Sequence, residues 1–191
     1  MTHRLLPACV AAVTGVALLA GCTPLSSGPD ASASATPSTE PTTTVLATAP
    51  AGTPDPCAMI GAERASEILG TEMSAGEFDA GVSSDGRNIC EWRPANEEKS
   101  EPRLQVEVNW AFPDAAEHRA LAEEVFGATS DLDREIEGAS DVYTSPGRRT
   151  LGMTVGDYFV KVSYIKPKAK KKVALNACVD AAREIAAGLS A

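Results

Sequence analysis

The sequence predicts an α+β fold in which helices pack on one antiparallel sheet, forming a single small domain over residues 55–191. Several short segments alternate apolar and polar side chains, which is typical of half-buried antiparallel strands. Other segments carry apolar residues at helical spacing, and they lie before, between and after the strand segments. An order of helix, strands, helix, hairpin and helix favours helices packed on an antiparallel sheet.

The first helix is predicted over residues 61–70, where apolar residues recur at helical spacing and Gly70 supplies a stop. A strand is predicted from Ile89 to Arg93. A second strand covers residues 104–110, where Leu, Val, Val and Trp alternate with Gln, Glu and Asn. Because alternate side chains of a strand point to opposite faces, one face of this strand is expected to lie in solvent.

An amphipathic helix is predicted to begin near Pro113 and to end at Gly127, with Leu121, Val125 and Phe126 on its apolar face. A third strand is predicted from Asp141 to Ser145.

The strongest structural prediction is a hairpin. Strands over residues 151–155 and 160–164 alternate on either side of a turn at Gly156-Asp157. A last helix is predicted from Lys171 to Leu189, with an apolar stripe along one side.

The first 21 residues are typical of a secretory signal peptide. Arg4 precedes an apolar run from Leu5 to Ala20, which is slightly short for a membrane span. The run ends in Leu-Ala-Gly-Cys, which resembles the lipobox of bacterial lipoproteins, with Cys22 as the acylated residue. The sequence therefore predicts a protein that is cleaved before Cys22 and anchored by lipid to the outer face of the cell membrane; an ordinary secreted protein or an uncleaved anchor is the alternative.

Residues 22–54 are predicted to be a disordered linker that begins at the lipidated Cys22. This segment is rich in Thr, Pro, Ala and Ser, and only Asp30 and Glu40 are charged. Such a composition cannot bury enough apolar surface to offset the entropy of ordering.

The charge balance argues against a nucleic-acid partner. The chain carries a formal charge of −9, and removal of residues 1–21, which contain Arg4 and no acidic residue, leaves −10. Phosphate binding needs clustered Lys and Arg to displace counterions.

Three cysteines remain in the predicted mature chain once Cys9 leaves with the signal peptide and Cys22 is acylated. The favoured disulfide joins Cys57 and Cys90. It would close a loop of about 34 residues and stabilise the folded domain by about 3–4 kcal/mol. A bridge between Cys57 and Cys178 is the alternative, because sequence does not determine connectivity.

Three motifs resemble the actinobacterial lipoproteins grouped as domain of unknown function 3558. They are Asp55-Pro56-Cys57-Ala58-Met59-Ile60, Ile68-Leu69-Gly70 and Cys90-Glu91-Trp92. The chain departs from the family where Met59-Ile60-Gly61 replaces the usual Leu-Leu-Thr. The resemblance implies a lipoprotein domain with a Cys57–Cys90 bridge and an α+β sandwich, and it carries over no catalytic residues.

No residue pattern predicts catalysis, a metal or a cofactor. His118 is the only histidine after residue 21. It is expected to be exposed on the polar side of its helix, and no serine lies in a nucleophile-elbow pattern. One histidine and three scattered cysteines do not supply an ordinary zinc site.

Acidic residues form two groups that could suggest calcium or paired catalytic carboxylates. Both groups are interpreted as solvated turns, because they lack the glycine and spacing of known calcium loops. Their members are Asp131, Asp133, Glu135 and Glu137 in one group, and Glu97, Glu98 and Glu101 in the other.

A lysine cluster stands out against the acidic background and ranks first among candidate binding surfaces. Its like charges at a helix N-terminus oppose the helix dipole, and they suit anionic headgroups or acidic polymers. A solvated loop is the plainer alternative. The cluster comprises Lys166, Lys168, Lys170, Lys171 and Lys172.

Trp92 and Trp110 lie on predicted strands and are expected to pack in the core. Two function classes remain: a noncatalytic module that binds an envelope lipid, polymer or protein, and an envelope hydrolase with unidentified carboxylates. The absence of a nucleophile, metal or cofactor pattern favours the noncatalytic module.

Overall fold

A computed structural model describes residues 48–96 and 101–191. These residues belong to one compact unit. The predicted signal peptide, Cys22 and most of the predicted linker lie outside the described residues, and so do Glu97 and Glu98.

The centre of the domain is an open sheet of seven strands in the described part of the chain, and every neighbouring pair is antiparallel. The strand order is β1-β2-β3-β7-β6-β5-β4. The predicted α+β class with a single antiparallel sheet is confirmed. The strands are β1 (Glu77–Phe78), β2 (Arg87–Trp92), β3 (Arg103–Asn109), β4 (Ser130–Asp131), β5 (Ala139–Thr144), β6 (Thr150–Val155) and β7 (Tyr158–Ile165).

Four helices accompany the sheet within the described residues: α1 (Pro56–Met59), α2 (Ala62–Leu69), α3 (Ala115–Phe126) and α4 (Lys171–Leu189). Their ends follow local chemistry. Asp55 caps α1 by accepting a hydrogen bond from the amide of Cys57, and Asp114 caps α3 in the same way. Helix α2 ends at Gly70 in the left-handed conformation, with φ 69°.

Helices α1, α2 and α4 cover one face of the sheet and enclose the main core. Trp92 is fully buried there, as predicted, and its indole Nε1 donates to the carbonyl of Ile60 at 3.0 Å. A Cys57–Cys90 disulfide ties α1 to β2, and Cys178 of α4 is free and buried.

Helix α3 packs on the opposite face of the sheet, against β5 and β6. Phe159 alternates with core residues along β7, so its side chain points to the face away from the main core. On that face it packs with Ala115 and Tyr143.

The prediction that the polar residues of β3 lie in solvent is wrong for two of them, because Glu107 and Asn109 are only 4% and 5% exposed. The carboxylate of Glu107 is instead neutralised by Lys161 on β7 and by Arg87, at 3.8 Å, on β2.

The short edge strands β1 and β4 were not predicted, since two residues are too few to show alternation. The segment from Asp131 to Glu137, predicted as a loop, begins in β4 and places Ile136 in the core at 3% exposure.

Candidate functional site

Helix α3 presents an uncovered apolar surface. The prediction of a helix that ends at Gly127 is confirmed, but Ala115 is its only buried residue. Leu121, Val125 and Phe126 are 61%, 72% and 70% exposed, so the predicted apolar face does not reach the core. Single exposed apolar side chains are ordinary, whereas a contiguous set marks an interaction site.

These side chains border a groove between α3 and the sheet, which we call the α3 groove. Its volume is about 700 Å³, within the range of about 300–1,000 Å³ that holds small molecules. Two buried aromatic residues, Tyr143 of β5 and Phe159 of β7, lie among its lining residues. At one end is the β5–β6 turn, with Ser145, Pro146 and Gly147.

Gly152 on β6 makes room for the ring of Tyr143. A Cβ atom at Gly152 would lie 2.5 Å from that ring, so a glycine is needed for the ring to lie across the strand. Tyr143 is only 5% exposed, and its hydroxyl has no hydrogen-bond partner in the part of the chain that the structure describes. Burial raises the pKa of Tyr143 to about 12, so the phenol stays protonated and available as a hydrogen-bond donor.

His118 also lies in the groove, and the prediction of an exposed histidine on the polar side of the helix is wrong. The ring is half-buried and stacks on Phe159, with 3.6 Å between ring centroids and 5° between planes. Its Nε2 lies 2.9 Å from the carbonyl oxygen of Phe112. These contacts hold α3 against the sheet, and they occupy one ring nitrogen with a backbone acceptor.

Arg119 also anchors α3. Its guanidinium donates to Asp131 at 2.5 Å and to Thr129 at 2.7 Å, and it lies 5.8 Å from the centre of the Tyr143 ring. Asp131, the first member of the acidic group, is therefore ion-paired. Among the described residues no three His, Cys, Asp or Glu side chains are close enough to hold a metal ion.

The members of the lysine cluster have different partners. Lys166 pairs with Glu101 at 3.6 Å, which places that glutamate in an ion pair as well. Lys171 donates from Nζ to the carbonyl of Pro146 at 3.3 Å, and so lies against the turn that closes one end of the α3 groove. The other three members, Lys168, Lys170 and Lys172, are exposed.

Trp110 is half-buried, so its predicted place in the core is wrong. It lines a smaller hollow of about 330 Å³ with Phe78 and Asn88. The amide of Asn88 donates to Thr53 and Pro54, and its Oδ1 has no partner among the described residues.

The α3 groove was not predicted from the sequence, although two signals for it are present. Tyr143 and Phe159 are aromatic residues at strand positions that face away from the main core, and Gly152 interrupts an apolar strand beside them. Each position is unremarkable alone, and only the sheet register brings the three together.

A family model described as "Protein of unknown function (DUF3558)" matches residues 17–189, which is most of the chain. The chain belongs to this family. No curated protein and no solved structure matches it. In the described residues of this DUF3558 protein, no helix combines the length and apolarity needed to cross a bilayer.

Proposed function

We propose that this DUF3558 protein is a lipid-anchored, noncatalytic binding module at the outer face of the cell membrane, and that the α3 groove binds the apolar part of an amphipathic molecule. The observation that carries the proposal is the groove itself. Leu121, Val125 and Phe126 stand exposed along a concave surface that contains buried aromatic rings.

The shape favours a small molecule over a flat protein surface. Binding pockets for small molecules are concave and mostly apolar, and they contain a few polar groups that orient the ligand. The α3 groove has these properties, since its polar groups include the unpartnered hydroxyl of Tyr143 and the side chains of Ser145 and Thr150.

A noncatalytic role is supported by the state of the candidate reactive groups. His118 is stacked on a phenylalanine and bound to a backbone carbonyl. Burial raises the pKa of Cys178 to about 12, which disfavours the thiolate that a nucleophile needs. The buried carboxylates of Glu91 and Glu107 are each held by basic side chains, and no observation favours the hydrolase alternative.

The lipid anchor rests on the Leu-Ala-Gly-Cys motif that ends the apolar N-terminal run. Intact mass of the protein from native membranes tests it. Acylated Cys22 at the new N-terminus is expected, and Cys22→Ser is expected to abolish acylation and either release the protein or leave it unprocessed. Acylation that is unchanged in the variant would refute the anchor.

Photo-crosslinking tests the groove. The full chain is held in vesicles of neutral phosphatidylcholine and exposed to a glycerol ether whose alkyl chain carries a diazirine. We expect the label on residues 115–126 and 143–161, with labelling reduced by an excess of the unreactive ether. Labelling spread evenly over the domain would contradict the proposed function.

A further inference from the structure

We infer that the ligand of the α3 groove is an anionic amphiphile, and that its charged head lies at the end of the groove formed by Arg149 and Lys171. This inference rests on the proposed function, because it assigns the chemistry of the ligand to that same site.

The first observation is the distribution of charge. The chain is acidic overall, at −9, yet residues 145–172 contain eight of its 17 lysines and arginines and a single acidic residue, Asp157. This segment comprises the β5–β6 turn, the β6–β7 hairpin and the start of α4, and two of its basic residues, Arg149 and Lys161, line the groove. A basic patch on an acidic protein indicates an anionic ligand.

The second observation is the geometry of that end. Arg149 lines the groove directly, and Lys171 reaches the carbonyl of Pro146, another lining residue, at 3.3 Å. Within residues 48–96 and 101–191, neither cation has an ion-pair partner. Lys161, also in the groove, is already neutralised by Glu107. Arg149 and Lys171 are therefore two cations beside this end of the groove that are free to meet a charged head.

The third observation is the start of α4. Lys170 occupies the N-cap position without a side-chain hydrogen bond, and two further lysines follow in the first turn. The positive end of a helix dipole disfavours cations and favours anions. A bound anion would compensate both the dipole and the lysines, which explains their position at this helix end.

A neutral amphiphile fits these observations less well. It would place an unpaired guanidinium beside an apolar chain, and a charged group that is shielded from water needs a partner. Pairing Arg149 with a phosphate or carboxylate satisfies that need and adds charge-assisted hydrogen bonds.

The experiment compares two photoreactive probes with the same alkyl chain, one with a phosphate head and one with the neutral glycerol head. The full chain is used in phosphatidylcholine vesicles, and labelling of the groove is measured against probe concentration. We expect half-maximal labelling at about tenfold lower concentration for the phosphate probe, which corresponds to about 1.4 kcal/mol from the added charge-assisted hydrogen bonds.

Variants locate the head. Arg149→Gln combined with Lys171→Gln is expected to remove the preference for phosphate and to leave labelling by the glycerol probe unchanged. Lys168→Gln is the single-site control: it removes one charge from the same basic segment, at an exposed side chain that precedes α4 and does not line the groove, and should retain most of the preference. Inorganic phosphate alone is expected not to displace the probe, because it has no chain to occupy the groove.

The outcomes separate the two proposals. Equal labelling by both probes overturns the anionic ligand and leaves the proposed function standing. A phosphate preference that persists in the double variant overturns the assigned position of the head, and displacement by inorganic phosphate at matching concentration assigns the site to free anions instead. Groove labelling by neither probe refutes the proposed function as well.

Discussion

Replacing two exposed side chains of the α3 groove, Leu121→Ser together with Val125→Ser, should weaken ligand binding without destabilising the fold. Full burial of such a side chain contributes about 1.5–3 kcal/mol. The two residues are 61% and 72% exposed, so their exposed fractions leave about 2–4 kcal/mol to be gained from a ligand. A ligand covers only one side of each residue, so we take the lower end, about 2 kcal/mol, which corresponds to about a 30-fold loss of affinity.

The assay is half-maximal labelling by the glycerol probe, paired with urea unfolding followed by circular dichroism. The free energy of unfolding should change by no more than about 1 kcal/mol, because each substitution at an exposed position usually changes it by about 0.5 kcal/mol or less. Val173→Ser is the matched control for Val125→Ser, because Val173 is 50% exposed on a helix and lies outside the groove. Unchanged affinity in the double variant, or an equal loss in the control, would refute the reasoning.

Three further predictions concern the framework of the domain. Reducing the Cys57–Cys90 bridge, which joins residues 33 positions apart, should lower the free energy of unfolding by about 3–4 kcal/mol in urea titrations. A loss below about 1 kcal/mol would contradict the idea that the bridge stabilises the fold by restricting the unfolded chain. The thiol of Cys178 should resist alkylation near neutral pH in the folded protein and react after unfolding. Because burial raises its pKa from 9.0 to about 12, the stability that this group contributes is present below pH 9 and is lost as the pH rises towards 12. Alkaline unfolding can measure this loss. Gly152→Ala should cost about 1–3 kcal/mol through its clash with Tyr143, whereas Gly147→Ala, where an added Cβ meets nothing within 4 Å, should cost far less in the same titration; equal costs would contradict the packing argument.

The sequence alone determined the regular elements whose residues carry a complete local signal. Helix α4 runs from Lys171 to Leu189 as predicted, since a stripe of small and apolar residues continues along its whole length. The β6–β7 hairpin follows from alternation on both sides of Gly156-Asp157. In each case the spacing of side chains along the chain is itself the physical cause of the structure.

Only the tertiary structure decided which apolar and polar side chains are covered. An apolar stripe on α3 predicts a helix, but not that Leu121 and Val125 would be left facing a groove. Alternation in β3 predicts a strand, but not that Glu107 would be buried and neutralised by Lys161 from a neighbouring strand. Burial depends on partners distant in sequence, which the sheet register and the docking of helices bring together. The spacing of side chains along the chain does not identify those partners, so the candidate site can be recognised only in the folded domain.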